Sequence, residues 1–359
     1  MAEKNSFDLI RIIAAFLVLV SHSFALTGRP EPELFPGYSL GRVGVIVFFA
    51  LSGYLVFQSL DRDPHLLRFL AKRGVRIFPG LAVMLLITAC LIGPLLSSLP
   101  AKEYFSRAEV WGYLGKIKLW GDDRLPGVFE HNPHPRTVNG SLWTLKWEWL
   151  MYCILASVAL IKRVWWGVTI PILSIVFAVL ALLSDSNFYS APLPFIGSLL
   201  SSQNPFLLGS FFFFGALLSI SKINSRAWLS PAIHWAIVGG AFGVLAIGGS
   251  VATQIALWLL VPTVIVTIGE SGLSKRIGLD IRNDVSYGLY IYAFPIQQSI
   301  FALLPGATWW ESLLLATPLT ACIAFLSWRH VEKPALKLKV RIKRLELRAN
   351  ASERRNYEG

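Results

Sequence analysis

Apolar stretches close to the length of a bilayer crossing recur along the whole chain, at about residues 7–27, 41–60, 77–99, 141–161, 164–184, 203–221, 228–249, 251–270, 285–304 and 308–328. About 20 apolar residues in helical form cross the roughly 30 Å hydrocarbon core. In lipid every backbone polar group must find its partner inside the segment, so a chain patterned this way folds as a bundle of helices. The sequence therefore predicts an all-α polytopic membrane protein of about ten transmembrane helices. The two segments that meet at Gly248-Gly249-Ser250 are close enough to form one bent or re-entrant element. Composition agrees: 54% of the residues are hydrophobic and 15% charged, and mean hydropathy is +0.57. A soluble globular chain is far less apolar.

An even number of spans places both termini on one side, and the distribution of Lys and Arg indicates which side that is. The loop after the second span carries Arg62, Arg68, Lys72, Arg73 and Arg76. Later even-numbered loops carry Lys162, Arg163, Lys222, Arg226, Lys275, Arg276 and Arg282. These loops, both termini and a basic tail at residues 336–359 are expected in the cytoplasm, after one membrane domain over residues 1–335. The 101–140 loop runs against this pattern, with Lys102, Arg107, Lys116, Lys118 and Arg124. A net charge of +12 held in short loops and a tail suits anionic lipid headgroups, not nucleic acid. Cys90, Cys153 and Cys322 fall within spans, are odd in number and show no metal-ligand spacing, so they read as buried small hydrophobes. The first span contains Asp8 and Arg11 and lacks a signal-peptide cleavage site, so it is expected to stay in the protein.

Ionisable groups inside such spans are costly and read as functional. Arg11 and His22 sit eleven residues apart in the first span. At about 100° per residue they return to within roughly 20° of each other, with Asp8 about 40° from His22. One face thus carries a carboxylate, a guanidinium and an imidazole over roughly 16 Å, enough to hold opposite ends of an extended ligand. The plainer alternative is an interfacial Asp8–Arg11 pair with His22 near the far interface.

Before the third span, Arg73 and Arg76 are three residues apart, a spacing that lets two guanidiniums converge on one anion such as phosphate. Such a pair is equally explained as positive-inside anchors. A helix starting at Ser141 would align Ser141, Thr144, Glu148 and Tyr152 in a polar stripe among Trp and Leu residues. Glu148 needs a partner at that depth. His22 or an arginine is one candidate, and Lys146 or a loop cation is another. Trp143 and its neighbours read most simply as an interfacial aromatic belt. Ser286, Tyr290 and Gln297 share a face that could line a polar cavity or bond helices together. The 100–140 interruption opens with an amphipathic piece at 104–120 suited to the interface and ends in Asn132-Pro133-His134-Pro135-Arg136, which could form a lid or an acceptor-binding surface. Pro334 marks where the last helix stops or bends.

Taken in order, these residues resemble the acyltransferase-3 family of multi-span bacterial membrane acyltransferases. The likeness runs from Phe7-Asp8-Leu9-Ile10-Arg11 with His22, through Gly44 to Gly53, Arg73 and Arg76, and Ser141-Leu142-Trp143 with Glu148. It continues to Ser286-Tyr287-Gly288-Leu289-Tyr290 and Glu332-Lys333-Pro334. The resemblance implies a roughly ten-helix fold in the bacterial inner membrane that transfers an acyl group, commonly acetyl from acetyl-CoA, to hydroxyls of an exported or lipid-linked glycan. His22 looks like the family's essential histidine, with Asp8 and Glu148 as its catalytic companions. Arg11, Arg73 and Arg76 are the expected acyl-CoA contacts, and Ser141, Trp143, Tyr152, Tyr290 and Gln297 the expected acceptor contacts. Acetyl-CoA would be a co-substrate, with no tightly bound cofactor and no metal. Many members have a histidine where this chain has Ala293. A further soluble domain after the last span, present in some members, is not expected. The rival reading is a transporter or flippase for a lipid-linked saccharide, which inverted repeats would support.

Overall fold

The computed structural model describes residues 5–185, 205–224, 231–279 and 283–337. Arg226, Arg282 and nearly all of the basic tail lie outside the described residues. The main helices are α1 (Phe7–Ala25), α2 (Leu40–Arg62), α3 (Leu66–Ile87), α4 (Leu145–Ser157), α5 (Trp166–Asp185), α6 (Pro205–Asn224), α7 (Pro231–Ile247), α8 (Ser250–Glu270), α9 (Ser286–Leu303) and α10 (Trp309–Ser327). Each of the ten apolar segments therefore carries a helix. Among the described residues six helices are long and apolar enough to cross a membrane, namely those at 7–25, 40–62, 66–96, 163–184, 250–270 and 309–337. The helices at 205–221 and 232–247 are apolar but shorter. The α4 and α9 segments carry several of the candidate site residues, among them Glu148, Tyr152, Tyr290 and Gln297.

The centre of the bundle is α2, which packs against α1, α6 and α8. Small residues make this closeness possible: a Cβ on Gly53 would clash with the Phe212 carbonyl, and one on Gly215 with the Ala50 carbonyl. On the α1 side a Cβ on Gly44 would come within 2.6 Å of the Ala14 carbonyl oxygen. Backbone approach through glycine is the usual way helices associate where lipid removes the hydrophobic drive between them.

Two helices change pitch just ahead of a proline. The third continues through a π-turn (Thr88–Ile92) to Leu96 around Pro94, and the tenth through a π-turn (Trp328–Glu332) around Pro334. Proline withdraws an N–H from the ladder, and the wide turn re-spaces the carbonyls that it leaves. The last helix accordingly bends and does not stop at Pro334. The Gly248-Gly249 junction, at φ 78° and 88°, is a tight turn between two separate packed helices, not a single re-entrant element. Only Gly tolerates two consecutive left-handed residues at no steric cost.

One expectation about surfaces is corrected. Cys90 and Cys322 are exposed and Cys153 is half-buried, because they lie on outward faces of their helices, where a small apolar side chain is compatible with lipid. The amphipathic 104–120 piece is built of short turns, with Trp111 and Trp120 exposed. It breaks into short helices at Ala101–Ser106 and Ala108–Leu114 and a 3-10 turn at Gly115–Lys118, with Tyr104 and Tyr113 buried under it.

Candidate active site

Polar side chains from five helices gather around two adjoining cavities. The first, of about 110 Å³, is lined by Arg11, Ser52, Arg73, Arg76, Glu148 and Tyr152 among others. The second, of about 410 Å³, is lined by His22, Glu31, Arg42, Ser141, Trp143 and Tyr290 among others. Val45 and Tyr290 line both, so the two cavities meet at that pair. Tyr290 is held there by its hydroxyl, which donates to the Ser141 carbonyl at 2.8 Å and lies 2.7 Å from Thr144 Oγ1.

The first cavity is bounded by an ion network. Arg11 bonds Asp8 at 2.6 Å and approaches Asp284 at 3.4 Å, while Arg76 bonds Asp284 at 2.5 Å and approaches Glu332 at 3.4 Å. Burial works to raise the Asp284 carboxyl, but Arg76, Arg11 and the hydrogen bonds from Ser286 outweigh it and hold it below the ordinary range. Arg76 also lies over the rings of Tyr287 and Trp328, 5.8 and 5.7 Å from their centroids. Its guanidinium is thus engaged by carboxylates, while both arginines line this cavity. Arg73 differs. Among the described residues it has no carboxylate within ion-pair distance, and its Nε is buried without a hydrogen-bond partner while the side chain lines the cavity.

Glu148 belongs to this first cavity. It accepts from Tyr152 Oη at 2.5 Å and from Ser52 Oγ at 3.2 Å, so its neighbours are hydroxyls on the arginine side, not His22. The predicted stripe does form, although the chain from Leu142 to Thr144 is a 3-10 turn and the α-helix starts at Leu145. Ser141 faces the second cavity while Thr144, Glu148 and Tyr152 face the first.

His22 is half-buried at the second cavity, with its ring edge-on to Phe294 at 5.1 Å and its Nδ1 buried without a hydrogen-bond partner. The carboxylate that acts on it is Glu31, and a second imidazole, His134, also reaches it electrostatically. Glu31 is fixed by a hydrogen bond from Ser21, in a slot that exists because residue 41 is glycine: a Cβ there would fall 2.9 Å from Ser21 Oγ and 3.3 Å from Glu31 Oε2. His134 is brought in by the irregular end of the 100–140 loop. Asn132 donates to Gln298 Oε1 at 2.7 Å, and Gln298 Nε2 donates to the carbonyls of His134 and Thr137 at 2.8 and 2.7 Å. The loop therefore covers this end of α9.

Two expected site residues stand elsewhere. Asp8 is fourteen residues before His22, about 21 Å along the helix, and its carboxylate lies in the Arg11 network. Gln297 is fully buried and donates to the Leu19 carbonyl at 3.0 Å and Ser23 Oγ at 2.7 Å, which bonds α9 to α1. Sequence reasoning missed Ser52, Glu31, Arg42 and Asp284. Asp284 had a signal, since it stands two residues before the polar stripe that begins at Ser286. Glu31 had none, because it comes from a loop that only the fold brings back over His22.

A charge-lined pair of cavities inside a helical membrane bundle is a setting for chemistry in the membrane, and the family comparison says which class of enzyme it belongs to. The model of the acyltransferase domain matches residues 4–329, and the chain belongs to the acyltransferase-3 family. A relative from Shigella phage Sf6, described as an O-acetyl transferase, is 33% identical over 93% of this chain and 96% of its own length. Nodulation protein 10 of Rhizobium leguminosarum bv. viciae is 27% identical over 94% of each chain. No solved structure matches the chain. The protein is accordingly a multi-pass membrane O-acetyltransferase.

Proposed function

We propose that the protein transfers acetyl from acetyl-CoA to a hydroxyl of a cell-surface or lipid-linked glycan, with the donor in the arginine cavity and the acceptor in the His22 cavity. The observation that carries this reading is that the two cavities meet at Val45 and Tyr290, with an anion-free guanidinium, Arg73, on one side and His22 on the other. Arg73 and Arg11 face the phosphates of the donor, and a planar guanidinium suits them because its fork donates bidentately. The cations Arg62, Arg68, Lys72, Arg73 and Arg76, at the end of α2 and in the first half of α3, favour a donor entrance on the cytoplasmic side of a bacterial inner membrane.

The acceptor hydroxyl reaches His22 from the other cavity. As the oxygen attacks the thioester carbonyl, the imidazole takes its proton; the carbon–sulfur bond breaks, and the departing CoA thiolate receives that proton to leave as the thiol. Glu31, held by Ser21, stabilises the imidazolium that forms between these steps. Glu148, Tyr152 and Ser52 shape the donor side. The test is to supply purified protein with labelled acetyl-CoA and glycan from the envelope of the cells in which the chain acts. The expected result is CoA release matched one for one by glycan acetylation. Glycan movement across vesicles without CoA release would replace this reading with that of a transporter.

A further inference from the structure

A third cavity, of about 260 Å³, adjoins the His22 cavity and shares the Trp143 indole with it. Its other walls include Lys116, Trp120, Gly121, Asp123 and Lys146. The outer wall is a built structure. Lys116 is buried and paired with Asp123, and the Leu119 N–H donates to the Lys116 carbonyl at 2.8 Å with Leu119 in the left-handed region at φ 67°. Gly121, at φ 140°, lies against the Lys116 side chain, where a Cβ would stand 3.2 Å from Cγ. The Asp123 carbonyl accepts from the Val138 N–H at 2.8 Å, which ties this turn to the irregular segment leading into Asn139 and α4. An aromatic anchor at the membrane interface needs no such framework. This one holds Trp120 out, 60% exposed, at the mouth of a polar cavity.

The wall chemistry matches a sugar. An indole offers a flat apolar face to the C–H face of a pyranose, while ring hydroxyls need donors and acceptors nearby. Here Lys146 donates and has no carboxylate within ion-pair distance among the described residues, and Asp123 accepts. The volume lies below the usual range for a drug-sized ligand and suits a single ring. We propose that this cavity is a glycan subsite: it holds the sugar next to the one acetylated, between Trp120 and Trp143, and so delivers the adjoining hydroxyl to His22. The inference rests on the O-acetyltransfer reading above.

The test is steady-state kinetics on the purified full chain, with acetyl-CoA and polysaccharide extracted from the envelope of the cells in which the chain acts. Trp120→Ala should raise KM for the polysaccharide fivefold or more, with KM for acetyl-CoA within twofold of the parent. Trp120→Phe, which keeps an aromatic face, should recover most of the loss. A polysaccharide KM unchanged in Trp120→Ala overturns the subsite, as does a matching rise in both KM values. Absence of any acetyl transfer by the parent protein overturns the underlying reading instead, so the two failures are told apart.

Discussion

At the scale of single residues, Arg73 and Arg76 look alike in sequence and differ in what surrounds them. Replacing Arg76 by Ala would strand Glu332 without a cation and leave Asp284 with only the longer Arg11 contact, and breaking a buried pair from one side costs about 3–5 kcal/mol. The expected outcome is loss of folded protein on heating in detergent. Arg73→Ala leaves no carboxylate behind; it should fold and raise KM for acetyl-CoA roughly ten- to a hundredfold, the worth of a charge-assisted hydrogen bond of about 1.5–3 kcal/mol. Equal stability of the two variants would contradict the distinction. Val45→Phe narrows the junction of the cavities and should lower kcat with both substrates saturating, whereas an unchanged kcat would mean that the acyl group does not pass there. Residue chemistry was legible for His22, Arg73 and Glu148, because an ionisable group in an apolar run marks itself. Their partners were not legible: periodicity relates residues of one helix, whereas Glu31, Ser52 and Asp284 come from other segments that only packing brings in.

At the scale of elements, the contact between α2 and α6 depends on Gly53 and Gly215. Either residue changed to Ala forces backbone apart, an overpacking that typically costs about 1–3 kcal/mol. Gly53→Ala should lower the midpoint of thermal unfolding, while Gly240→Ala, where nothing lies within 4 Å, should not. The turn between α2 and α3 is clipped by Asp63, bonded to Arg68 at 2.7 Å and Lys72 at 2.5 Å. Burial works to raise this carboxyl, but the hydrogen bonds and charges of Arg68 and Lys72 bring it from 3.8 down to about 2. A lowered acid pKa stabilises the folded state fully above the unfolded value and ceases to do so as pH falls through the folded one. Stability should therefore fall between about pH 4 and pH 2 through this turn, and Asp63→Asn should flatten that part of the profile. Helix positions were largely readable from apolar length, but α3 begins at Leu66, within the basic stretch that reads as a loop before residue 77. The π-turns before Pro94 and Pro334 and the breaks in the 101–140 segment were not readable, since each reflects how a local ladder resolves against its neighbours.

At the scale of the whole molecule, the architecture sets an arginine-lined cavity beside the His22 cavity, and the proposed chemistry needs these to face opposite sides of the membrane. With the native cysteines replaced, Arg124→Cys should react with an impermeant thiol reagent added to intact cells, and Arg62→Cys only after permeabilisation. The reverse pattern would invert the topology. An all-helical membrane protein was evident from hydropathy. The meeting of the cavities at Val45 and Tyr290 was not, because neither residue is unusual for its helix and only their apposition is informative. The central claim is that His22 activates the acceptor hydroxyl where the cavities meet. Its most direct test is the rate of glycan acetylation by purified His22→Ala protein with acetyl-CoA, measured beside the parent at equal amounts of folded protein. The account predicts at least a hundredfold loss, in line with removal of a general base, with KM for acetyl-CoA little changed; acetylation at the parent rate would contradict it.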